Sequence, residues 1–128
     1  MVDFIPHEEA LALKELGFDE HCFGYYTELG STFCPASYSK EGTEYPRNSD
    51  LILDWISAPL YQQAFRWFRE KYDLQHIIIK VGTSEDYVYM STIDNKRWTA
   101  KDNTFEEAEL ACLRKLIEIV NQNKDDNT

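Results

Sequence analysis

The side chains with most chemistry to offer are three cysteines, Cys22, Cys34 and Cys112, and three histidines, His7, His21 and His76. His21 and Cys22 are neighbours and form the first pair to weigh as base and thiol nucleophile. On a strand, adjacent residues point to opposite faces, so these two do not pair with each other there. His76 or His7 would have to reach Cys22 through the fold. Free cysteine is among the most buried residue types, so a structural Cys22 is the expectation. Cys112 falls inside an apolar helical repeat and reads as core.

Metal chemistry needs convergent ligands, and the spacings do not offer them. Cys22 and Cys34 stand far apart, without a Cys-x-x-Cys or a His-x-x-x-His pair. A site gathering His21, Cys22, Cys34 and His76 would match no usual zinc module, so no metal and no cofactor are expected. Neighbouring carboxylates recur at Glu8 with Glu9, Asp19 with Glu20, Glu85 with Asp86 and Glu106 with Glu107. They sit at helix starts and turns, whereas a general acid needs a carboxyl held in an apolar pocket. The five scattered glycines form neither G-x-G-x-x-G nor a phosphate-binding G-x-x-x-x-G-K.

One stretch interleaves cations with aromatic rings: Arg66-Trp67-Phe68-Arg69-Glu70-Lys71-Tyr72. Helical spacing turns Phe68 and Tyr72 inward and leaves Arg66, Arg69 and Lys71 outside, beside Gln62. This face is the candidate partner-binding surface. Three cations beside Glu70 and Asp73 form a modest cluster for phosphate, so nucleic-acid binding through it ranks behind contact with a protein. The final helix opens on Glu106, Glu107 and Glu109, where a double-stranded RNA-binding domain needs bases.

The totals narrow the classes further. The chain has 128 residues, 43% of them hydrophobic and 14% aromatic, enough to build a core. The formal net charge of −10 opposes nonspecific binding to nucleic acid or anionic membrane. Acidity is uneven: residues 1–30 hold seven acids and one base, residues 61–80 two acids and four bases, residues 104–128 six acids and three bases. Such a surface favours solubility and would attract a basic partner. No apolar run approaches the roughly 18 residues of a membrane span, and Met1 to Pro6 lack the features of a secretory signal. With an odd number of widely spaced cysteines, a cytoplasmic location with reduced thiols is the expectation.

These residues need elements to hold them. Pro6 to Leu16 reads as a first helix, with Pro6 at its start, Glu8 and Glu9 in its first turn and Gly17 at its left-handed end. Cys22 to Thr27 reads as a strand, with Gly24 marking a bulge or close approach. Residues 28–50 carry loop signals around one short strand near Thr32–Cys34. Leu51 to Ile56 is a strand or an extended lead-in to the second helix. After Pro59, Leu60, Tyr61, Ala64, Phe65, Trp67, Phe68 and Tyr72 make that helix the principal core element. His76–Val81 and Tyr87–Ile93 form an antiparallel hairpin around Gly82 to Asp86, and Lys96–Thr99 adds an edge strand. Thr104 and Glu107 form a capping box for a third helix whose apolar face runs through Ala108, Cys112, Leu116 and Ile119. The order α-β-(β)-α-β-β-α indicates an α+β fold: an antiparallel sheet with three helices mainly on one face. Residues 1–120 read as one domain, and the polar stretch 121–128 as a disordered tail.

The segments Ala58 to Tyr72 and Thr104 to Leu113, with Phe4-Ile5-Pro6 and Leu11 to Glu20, resemble the fixed blocks of a family of small proteins encoded by gut bacteria, their phages and integrated mobile elements. The resemblance covers about half the chain. It implies a phage or prophage origin, without an activity or a catalytic residue to carry over. The expectation is a non-enzymatic accessory protein acting by protein–protein interaction in the host cytoplasm, with a basic host protein as the sharper form of that partner. The alternatives are a small hydrolase or transferase using Cys22, with His76 as base, and a weak nucleic-acid binder through Arg66, Arg69 and Lys71.

Overall fold

A computed structural model describes the backbone of residues 4–27, 33–35, 47–51, 55–80, 87–93, 96–102 and 104–126, and the side chains of these up to residue 80 and over 104–123. The chain divides into two compact units, Met1–Gln63 and Ala64–Thr128. The class is α+β, and the elements follow the order read from the sequence. The expected loop through 28–50 falls among the described residues only at 33–35 and 47–50. The Gly82 to Asp86 turn lies outside them.

In the first unit, helix α1 spans His7–Glu15, with Pro6 extended at its N-cap and Leu16 closing it. Gly17 has φ 99°, a left-handed conformation that glycine adopts without a Cβ penalty. The chain then returns through Phe18 into strand β1, Gly24–Tyr26. This strand is the centre of an antiparallel sheet, flanked by β2, Phe33–Pro35, and β3, Ile56–Ser57. The close approach expected at Gly24 is real: a Cβ there would collide with the Phe33 ring and crowd the Cys34 carbonyl. Phe33 has no room to yield freely, because it packs against Phe4 at 4.7 Å and Tyr26 at 5.7 Å between ring centroids.

A single 3₁₀ turn, Asn48–Asp50, braces this unit from inside. The buried Asn48 amide donates to the Phe18 carbonyl at 2.8 Å, and its oxygen accepts from the Ser57 amide at 2.8 Å. One side chain thus satisfies backbone groups from the α1 exit and from β3. The Ser49 amide adds a bond to Asp19 Oδ1 at 2.8 Å.

Helix α2, Tyr61–Tyr72, begins in the first unit and continues in the second. Its start is secured by Gln63, whose Oε1 accepts from the Leu60 amide while its Nε2 donates to the His21 carbonyl. Ala64, Phe65, Trp67 and Phe68 are buried, and Phe68 is completely so. Burying a ring of that size is worth about 1.5–3 kcal/mol, which makes this face a main source of stability. The helix ends at Asp73, whose φ of 56° is left-handed, and the Leu74 amide bonds back to the Phe68 carbonyl.

The second unit continues with β4, Gln75–Lys80, β5, Tyr87–Ile93, and β6, Lys96–Asp102, an antiparallel meander in the order β4-β5-β6. The last strand extends the expected Lys96–Thr99 to Asp102. Register is continuous along both ladders, with Ile77 opposite Met90 and Ile79 opposite Val88. Helix α3, Phe105–Asp126, packs on all three strands. The Glu107 amide donates to Thr104 Oγ1 at 3.1 Å, so the expected N-cap is in place. Ala108, Cys112, Leu116 and Ile119 are buried along one face. The helix continues past Val120 into the polar stretch, as far as Asp126.

Candidate functional site

The outward face of α2 carries the residues singled out for partner binding. Gln62, Arg66, Arg69 and Lys71 are all exposed. Arg66 and Arg69 follow each other at helical spacing, so they share one stripe opposite the buried rings. Gln62 belongs to the first unit, and the three cations belong to the second. Lys71 is not a loose cation: its Nζ lies 5.0 Å from the Trp67 ring centroid and 5.7 Å from that of Tyr72. The ring faces attract the ammonium and orient its stem along the helix.

The candidate nucleophile occupies a different environment. Cys22 is 1% exposed in the first unit, and its Sγ contacts the Glu20 carbonyl at 3.4 Å. Burial and the nearby Glu20 charge push its thiol up to about 12, and the neighbouring Ser57 hydroxyl only partly opposes them. An activated thiol is shifted the opposite way, so this cysteine is held as the unreactive thiol at neutral pH. Cys112 is also pushed up to about 12, by burial and then by Glu109. His21 is half-buried, with its carbonyl engaged by Gln63.

His76, considered as a base for Cys22, lies in the second unit. Its ring stacks on Phe65 at 3.8 Å between centroids and an interplanar angle of 11°. Burial, with a smaller contribution from the Arg69 charge, lowers its pKa, so the imidazole is neutral at pH 7. Its surroundings explain it as a packed side chain of β4. Among the described residues, no three His, Cys, Asp or Glu side chains gather to hold a metal ion.

Several surface and bracing features escape a reading of composition alone. Ile77 and Ile79 are 49% and 45% exposed, whereas His76 and Ile78 between and beside them are half-buried. Three consecutive isoleucines on an alternating strand cannot all face one side, and that alternation is the available sequence signal. Tyr25 stacks on Trp55 at 5.1 Å, and Lys14 Nζ donates to the Trp55 carbonyl at 3.1 Å. Asn48 had no distinguishing signal among the polar residues of its segment. No helix among the described residues is long and apolar enough to cross a membrane. Comparison with protein-family models, curated proteins and solved structures found no match for the chain.

Proposed function

We propose that this chain is a non-enzymatic accessory protein of phage or mobile-element origin that acts by contact with another protein in the host cytoplasm. The observation that carries the reading is the exposed stripe of Arg66 and Arg69 on α2, with Lys71 beside it. These cations stand on a chain whose net charge is −10. A polyanion as long as a nucleic acid would meet that overall repulsion, whereas a protein with a local acidic patch would meet the stripe alone. The buried, strongly protonated Cys22 favours this reading over a thiol enzyme. The resemblance of the helical segments to small phage and mobile-element proteins supports the origin.

The test is capture of host proteins on the tagged chain, compared with Arg66→Glu, Arg69→Glu. A partner retained by the original chain and lost on charge reversal, with recovery falling as salt rises, is the expected result. Equal recovery by both chains would remove the stripe from the proposal. A second reading rests on the exposed acids Glu8, Glu15, Asp19, Glu106 and Glu107, which would suit a basic host protein. Charge reversal on α2 would then leave capture intact or strengthen it, while salt would still weaken it.

A further inference from the structure

Strand β4 is an edge of the β4-β5-β6 sheet, and it lacks most of the devices that usually keep an edge from pairing. Its six residues, Gln75–Lys80, include no proline and no carboxylate, and their register with β5 runs without a bulge. The sole formal charge is Lys80, at the last position. Ile77 and Ile79 stand outward on one face, 49% and 45% exposed. Among the described residues no strand pairs with the outer side of β4, so outward-facing isoleucine on this regular edge offers backbone groups and apolar surface to another strand.

We infer that β4 is a self-association surface through which two copies of this chain pair edge to edge and antiparallel. The strand complements itself: the three isoleucines are symmetric about Ile78. Pairing centred there sets Ile77 against the second copy's Ile79, and Ile79 against its Ile77, on the exposed face. Both contacts arise from one two-fold axis, as an isologous interface requires. Each Ile–Ile pair then replaces two wet apolar surfaces with a cross-strand contact.

The other edges fit a second copy less well. In the sheet of the first unit, β2 and β3 are three and two residues long. The opposite edge of the β4-β5-β6 sheet, β6, would in antiparallel self-pairing about Thr99 set Arg97 against Lys101 twice, a like-charge contact that the Lys96 and Asp102 pairs at its ends only partly offset. On β4, by contrast, paired copies bring no carboxylates together. The remaining repulsion between two acidic chains is long-range and is screened over about 8 Å at physiological salt. An edge of this length buries less than the roughly 1,200 Å² of a standard stable interface, so the dimer should be weak and concentration-dependent.

Sedimentation of the purified full chain tests this without any other protein, over a series reaching about 100 µM, where a micromolar dimer would be populated. The expected species moves from the chain mass of 15.0 kDa to twice that value as concentration rises. Ile77→Lys, Ile79→Lys should weaken association by ~10-fold or more, and Ile77→Thr, Ile79→Thr should weaken it while keeping strand propensity. Amide exchange on the unsubstituted chain gives a reading independent of the variants: amides within β4 should slow with concentration. A single-chain mass throughout the series would overturn the proposal. So would a dimer that folded forms of both variants retain, or one whose β4 amides exchange at concentration-independent rates.

Discussion

At the scale of single residues, burial separates the side chains that look reactive from those that are available. The Cys22 and Cys112 thiols are both pushed up to about 12, chiefly by burial, while Cys34 is only half-buried. Thiol titration of the folded chain near pH 8 should therefore find one fast cysteine, with the other two reacting only on unfolding. A fast reaction at Cys22 in folded protein would refute the inert environment described for it. The same shifts set a pH dependence. Because the folded state holds these protons above the ordinary thiol value of 9.0, their stabilising effect is complete below that pH and is lost as pH rises toward about 12. Asn48 is the other decisive residue. Asn48→Ala would strand the Phe18 carbonyl and the Ser57 amide in a buried setting, at a cost of about 1–3 kcal/mol for each group left unpaired. Denaturant unfolding of this variant should show a loss of at least about 1 kcal/mol.

At the scale of elements, the helices were legible because their signals are local. The large rings of α2 recur with the helical period, and α3 begins on a threonine whose hydroxyl reaches the Glu107 amide. Thr104→Ala should lower stability by about 1 kcal/mol, read as a shift in the denaturation midpoint with an unchanged slope. The end of α2 holds the opposite opportunity. Asp73 occupies a left-handed conformation, with its charge at the end of the helix where the dipole disfavours an acid. Asp73→Gly should raise stability by up to about 1 kcal/mol, and an unchanged or lower value would show that the aspartate is compensated locally. The strands were legible as alternating segments, but alternation does not say which face meets a helix. That choice placed His76 against Phe65 and left Ile77 and Ile79 outward.

At the scale of the whole molecule, charge is the property that sequence conveys best, because it is a sum that folding does not alter. A net charge of −10 and an isoelectric point near 4.6 predict good solubility at neutral pH, with a minimum as pH falls toward that value. Turbidity across an acid series would measure it, and undiminished solubility through the isoelectric region would contradict it. The candidate contact surfaces are less visible in such totals. Arg66 and Arg69 could be aligned from helical spacing, since their relationship is contained within one element. The β4 edge could not, because an edge exists only once the order of strands is known.

Local patterns along the chain were enough for the α+β class, the order of its elements, the buried face of α2 and the cap of α3. All follow from periodicities and hydrogen bonds between residues a few positions apart. Tertiary structure alone decided that Asn48 joins Phe18 to Ser57 and that the strands form two three-stranded sheets among the described residues. It also decided that Cys22 is sealed away and that two of three consecutive isoleucines face outward. These outcomes depend on contacts between residues distant along the chain. Many pairings are compatible with the same local pattern, and packing of the complete chain selects among them.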